Sequence, residues 1–421
     1  MKRIQTIELT SSLIFMVTGI GLLMAPAIST TILYWSFVGI FTASNVIFFI
    51  HALVSRKLTV LAGAAVLSIF TAILYFIPHF FVSLVFSFYM FFCGLCYLVQ
   101  WSVDRTTGCN GTGSLTAGLI YLGLWLFILL FRSDKVLQAG MGLYLIVQGL
   151  QLFLIHIRAI RNKSWGSRLT EHWASLPVGV VSFLPFVVVE LMGRKITPKG
   201  GPDFDQCKTD QRPDLTVYIH TGTTGVHAVG HMTFCFEGRM YSYGNYAKRE
   251  EKLYGTLGPA VFFTAPPEIY INNSCIYEGT TLYGYGIRLT EEQKKNLRGT
   301  LHSLLEDTVP WKCPLQEDLK GPFNKYGKDY ASRLYWRTGA KFLQFGNSRW
   351  RTYWVMGTNC SLFAETILAT AGCDIVQKRG IVSPGEYFEY FEERFADPAS
   401  PVICRHWHTA RLPETLYRNW A

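Results

Sequence analysis

Apolar residues run almost unbroken from position 9 to position 192, and beyond that point the pattern changes. The early runs have the length of bilayer-crossing helices, which need about 20 apolar residues. They predict spans near 9–27, 31–54, 58–78, 80–101, 114–131, 136–157 and 173–192. The last of these contains Pro177, Pro185 and Glu190 and is the weakest by pattern. Glu8 precedes the first run and no small-residue cleavage site follows it, so that run reads as a retained span. From 193 onward, apolar positions alternate or recur at helical spacing between polar turns. The chain therefore divides into a membrane domain, 1–192, and a second domain, 193–421.

Strand and helix patterns are clear in the second domain. Thr216–Ile219 and His231–Phe236 alternate and are rich in β-branched and aromatic residues. Glu237 and Gly238 supply a turn, and Arg239–Tyr243 forms the returning strand of a hairpin. Residues 289–307 have the period of an amphipathic helix, with Thr290 as N-cap and acidic residues in the first turn. "NCSLFAETILATAG" predicts another helix, closed by Gly372. The fold class is thus an α-helical polytopic membrane domain followed by an α+β domain.

Composition sharpens the membrane assignment. Half of the residues are hydrophobic and 16% are charged, against about 25% charged in ordinary soluble domains. The net charge of +10 comes without a basic helix, a zinc finger or an aromatic RNA platform, so no nucleic-acid partner is expected. Anionic headgroups suit such a charge better. Basic residues follow alternate spans: Lys2 and Arg3, Arg56 and Lys57, Arg105, then Arg158, Arg161, Lys163 and Arg168. That pattern puts the N-terminus in the cytoplasm, and a seventh crossing delivers 193–421 to the periplasmic or extracellular face. Arg194, Lys195 and Lys199 argue the other way.

Chemistry enters with Cys360. It stands where a Gly-containing loop becomes a helix, and a helix N-terminus stabilises a thiolate through its dipole and free N–H groups. A buried structural thiol is the competing reading. The base best placed by pattern is His231, at the start of its strand, with His220 and His227 as rivals. On that strand His231, Thr233 and Cys235 share one face, and Met232, Phe234 and Phe236 share the other. Asn359 is either an oxyanion donor or a plain N-cap.

"GHMTFCFEGRMYSYGNY", followed far downstream by "TNCSLFAETIL", resembles the circularly permuted NlpC-type papain-like families, in which His precedes Cys. The likeness is closest to the Lnb-type periplasmic domain of lipoprotein N-acylation proteins. It runs through "YGNYA", "YGTLGPAVFFTAPPEIYI", "LYGYGIRLT" and the helix after it, and so covers most of 215–372. The repeated pairs that begin with "VTGIGLLMAP", "LAGAAVLSIFTAILYFIP" and "LTAGLIYLGLWLFILLF" resemble the HdeD-like membrane family. The first resemblance implies a papain-like fold in which Cys360 attacks an ester or amide carbonyl and forms an acyl-thioester. His231 would be the base, and a polar residue on the next strand would orient it, here Tyr243 with Asn245 just beyond, a packing role for Tyr243 being the alternative.

The expected function is a membrane-anchored cysteine acyltransferase acting on lipoproteins or phospholipids. The alternatives are a cell-wall peptidase or lipid deacylase, and a non-enzymatic stress-related membrane protein. The expected partners are the bilayer, an acyl-lipid or lipoprotein substrate, and a second membrane protein or another copy of the chain. No cofactor is expected. "CRHWH" (404–408) has no second cluster at zinc-ligand spacing, so no metal is expected either. Six cysteines besides Cys360 lie in the second domain, and spacing does not say which of them pair. The aromatic and basic stretch 335–357 suggests a lipid interface beside the site.

Overall fold

The computed structural model describes residues 2–55, 78–131, 134–161, 203–221, 230–318, 326–370 and 384–409, with isolated helical positions between 65 and 76. The chain forms two compact units. One is built from Lys2–Leu98 and Leu115–Trp165, and the other joins Val99–Ser114 to the sheet-forming residues that follow. The expected boundary near residue 193 and the seventh span lie outside the described residues.

The helices of the first part are α1 (Lys2–Met24), α2 (Pro26–Ser55), α3 (Pro78–Thr106), α4 (Thr112–Phe131) and α5 (Asp134–Arg161). Among the described residues, Pro26–Ile47, Phe86–Thr106 and Thr112–Phe131 are long and apolar enough to cross a membrane. They match the expected spans 31–54, 80–101 and 114–131. The expected spans 9–27 and 136–157 are helical without reaching that standard. Polar residues crowd the start of α1, and Gln138, Gln148 and Gln151 dilute α5. Large apolar side chains such as Ile14, Ile28, Phe49 and Leu130 point outward, which costs nothing in lipid. Helices α1 and α5 meet backbone to backbone. A Cβ on Gly19 would lie 2.5 Å from the Gly142 carbonyl oxygen, and one on Gly142 would lie 2.8 Å from that of Gly19. Small residues at helix contacts permit such an approach in a bilayer.

The second unit is organised around an antiparallel sheet of nine strands, in the order β1-β11-β7-β2-β3-β4-β6-β9-β8. The strands nearest the site are β2 (Leu215–Thr221), β3 (His231–Phe236), β4 (Arg239–Gly244), β6 (Val261–Ala265) and β7 (Thr281–Ile287). Strands β1 (Phe204–Cys207) and β11 (Val402–His408) lie at one edge, and β9 (Lys341–Phe345) with β8 (Thr308–Pro310) at the other. A separate short ladder joins β5 (Leu257–Pro259) to β10 (Thr352–Trp354).

Helices cover both faces of the sheet. Met232, Phe234 and Phe236 pack with Leu297, Phe363, Ile367 and Phe391, which come from helices α7 (Glu291–Glu306), α10 (Cys360–Thr370) and α11 (Pro384–Ala396). The opposite face packs Tyr218, Met240 and Phe263 against Tyr270, Leu315 and Leu334, from α6 (Pro267–Asn272), α8 (Pro314–Glu317) and α9 (Tyr330–Thr338). The α+β expectation therefore holds.

Local chemistry accounts for several boundaries. Glu237 and Gly238 both adopt positive φ, 48° and 71°, the left-handed pair that a two-residue hairpin needs. The turn fixes Phe236 opposite Arg239 and Thr233 opposite Ser242. Thr290 closes a capping box with Gln293 at the head of α7.

At the sheet edge Cys207 and Cys404 are cross-strand partners joined in a disulfide, with Cα atoms 4.1 Å apart. "CRHWH" is thus strand β11. Its His406 Nδ1 lies 2.6 Å from Asp205, and Cys404, being oxidised, offers no thiolate to a metal.

Candidate active site

Cys360 is the first residue of α10 and is 5% exposed. The helix packs on the face of β3 that carries Met232, Phe234 and Phe236, whereas Thr233 and Ser242 belong to the opposite face. His231 joins the two because it opens the strand, and its ring can reach around the strand end. The His231 side chain and the backbone N–H of Met232 lie beside the thiol, and both favour its ionised form. The Tyr353 hydroxyl donates to Sγ at 3.9 Å. Burial opposes ionisation of the thiol. The charge and hydrogen bond of His231, with the Met232 N–H and the Tyr353 hydroxyl, more than offset it, and the pKa falls from 9.0 to about 7.

The imidazole is held from behind. Its Nε2 lies 2.8 Å from Ser242 Oγ and 3.0 Å from the Tyr246 hydroxyl, and those two oxygens are 2.8 Å apart. Tyr246 is itself stacked on Tyr330, with centroids 5.6 Å apart. Burial drives the Tyr246 hydroxyl well above its ordinary range, so it stays protonated and can donate. His220 stands behind His231, ring centroids 5.5 Å apart, with Nε2 2.9 Å from Thr233 Oγ1. Burial first, and the neighbouring His231 second, hold His220 well below the ordinary imidazole range and keep it neutral. The rival His227 lies outside the described residues.

One expected role changes, and Asn359 takes the second of its two readings. Tyr243 does not orient the imidazole: it points to the other face of β4, where its ring stacks on Phe363 at 4.7 Å and its hydroxyl donates to the Trp350 carbonyl at 3.1 Å. Ser242 and Tyr246 occupy the position expected of it. Asn359 is an N-cap, since its Oδ1 accepts from Leu362 N at 2.9 Å and its Nδ2 donates to the Val355 carbonyl at 3.0 Å. Its amide is engaged in holding the loop and the helix start, and the N–H groups of Leu362 and Phe363 both donate to Asn359.

The aromatic stretch 335–357 is mixed, with Lys341, Arg349 and Arg351 exposed. Trp350 and Trp354 are buried, and Arg337 is paired with Glu278 at 2.9 Å; Trp336 is exposed.

No protein-family model matches the chain, no curated protein aligns with it significantly, and no solved structure superposes on it significantly.

Proposed function

We propose that the protein is a membrane-anchored, cysteine-dependent acyltransferase whose nucleophile is Cys360 and whose base is His231. The observation that carries this reading is the thiol at the head of α10 beside an imidazole that Ser242 and Tyr246 hold in place, with its pKa drawn down to about 7. A thiol drawn down against its own burial suits nucleophilic chemistry at neutral pH. A nucleophile-headed helix packed on an antiparallel sheet that carries the base, with His before Cys in the chain, supports a permuted papain-like fold of the NlpC type.

In this mechanism His231 takes the thiol proton, and the sulfur attacks the carbonyl carbon of an acyl ester. The tetrahedral oxyanion faces the N–H groups of Cys360 and Ser361 at the head of α10. It collapses as the carbon–oxygen bond breaks, His231 returns the proton to the departing alcohol, and an acyl-thioester remains on Cys360. An amine acceptor then attacks the thioester and restores the thiol. Ser242 and Tyr246 keep the ring oriented throughout.

The apolar helices favour a phospholipid or lipoprotein substrate. The Cys207–Cys404 disulfide favours an oxidising, extracytoplasmic setting for the sheet. Mass spectrometry of the purified full chain after incubation with phospholipid tests the reading. An acyl mass should appear on wild type and be missing from Cys360→Ala. No adduct on wild type, or one that persists in the variant, sinks it.

A further inference from the structure

We propose that Leu253 and Tyr254 form a lipid-surface anchor beside the nucleophile. Both side chains point into solvent, Leu253 at 52% exposure and Tyr254 fully exposed. Both also hold left-handed backbone, with φ 49° and 57°, followed by Gly255 at φ 82°. Non-glycine residues seldom adopt that region, and two in succession at one tip is a strained arrangement. Glycine or asparagine would form the same turn more easily and leave it more soluble. Strain kept at an exposed apolar tip points to use of the tip.

The tip is rigidly built. Lys252 N–H donates to the Leu257 carbonyl at 2.7 Å and Leu257 N–H donates back at 3.3 Å, closing the loop at its base. Thr256 Oγ1 donates to the Leu253 carbonyl at 2.7 Å, and Asn245 Nδ2 donates to that of Gly255 at 3.1 Å. The same segment is fastened to the loop that carries the nucleophile. Gly258 pairs with Tyr353, and Val355 N–H donates to the Thr256 carbonyl at 3.0 Å. Tyr353 is the residue whose hydroxyl reaches the Cys360 sulfur. Whatever holds the tip therefore holds the site.

A bilayer fits this tip best. A leucine and a tyrosine at the crest, with exposed Lys252 at the foot, give the apolar, amphipathic and cationic order of a membrane interface. The chain also carries helices of bilayer-crossing length, so a lipid surface is covalently tethered to this unit. The purpose of the anchor rests on the acyl-lipid reading above: it would bring an ester at headgroup depth to Cys360.

Depth measurement by spin labelling tests the anchor without requiring turnover. Tyr254 is replaced by p-acetylphenylalanine in the full chain, which keeps an aromatic ring at a solvent-exposed position, and is labelled with a hydroxylamine nitroxide. The protein is placed in nanodiscs of phosphatidylethanolamine and phosphatidylglycerol. A control label replaces Glu291, whose side chain is 91% exposed. The nitroxide at 254 should be more accessible to oxygen than to a nickel chelate, and the one at 291 the reverse. Repeating the label at Leu253 should give the same result as at 254. Accessibility at both tip positions equal to that at 291 overturns the anchor, and a tip engaged by a protein partner would give that outcome. Because no reaction is read, this result and that of the acyl adduct stand or fall separately.

Discussion

A thiol as buried as that of Cys360 would ordinarily be held protonated, so its partners decide its chemistry. His231, the Met232 N–H and Tyr353 together bring it to about pH 7. The folded pKa is thus depressed below its reference value, and the thiolate is present above about pH 7 and lost as pH falls through it. Alkylation of Cys360 by iodoacetamide should accordingly rise through pH 7 in the wild type, read by mass spectrometry. In His231→Gln the opposing burial remains, and the rise should move above pH 9. An unchanged profile in that variant would remove His231 from the site.

The neighbouring pair Ser242 and Tyr243 gives a second contrast. Ser242→Ala frees the imidazole and should slow alkylation at neutral pH on the order of tenfold. Tyr243→Phe removes a hydroxyl that hydrogen-bonds to the Trp350 and Thr352 carbonyls. It should leave the alkylation profile in place and lower stability by about 1 kcal/mol, read by thermal unfolding.

At the scale of elements, the hairpin shows what a sequence carries and where one position matters. The 231–236 strand, the turn and the returning strand are all legible from alternation and a Glu–Gly pair. The orienting residue was legible too, because a two-residue turn pairs 236 with 239 and therefore 233 with 242. Assigning the role to Tyr243 is a shift of one position, and in a strand one position exchanges the faces. The capped helix at 290 and the Cys-headed helix at 360 are written in local residues and fall where the pattern predicts. Met232 could not be found this way, since its contribution is a backbone N–H that every residue but proline possesses. The Tyr353 contact needed the β5–β10 ladder, which pairs segments about ninety positions apart.

The turn itself makes a prediction. A Cβ on Gly238 would meet nothing within 4 Å, so only its φ of 71° resists a side chain. Gly238→Ala should cost about 1 kcal/mol, a few degrees of melting temperature by scanning fluorimetry. No loss at all would mean the turn does not set the register.

For the whole molecule, two features bear on the sidedness of the sheet. Counting seven expected spans from a cytoplasmic N-terminus puts Arg105, and with it Cys109, inside. The proposed extracytoplasmic setting of the sheet gives a different count, because Val99–Ser114 groups with the sheet, whose edge strands carry the Cys207–Cys404 disulfide. Arg105 is a weak topological signal with Asp104 beside it. Helix α3 ends at Thr106, three positions before Cys109. Cys109 is a free, exposed thiol at that end and reports the answer directly. In intact cells expressing the full chain, a membrane-impermeant maleimide should tag Cys109 before lysis. In the same digest the peptides of Cys207 and Cys404 should stay linked until reductant is added. A Cys109 that reacts only after lysis, with Cys207 and Cys404 found as free thiols, would place the sheet in the cytoplasm. The acyl donor would then have to come from the inner leaflet.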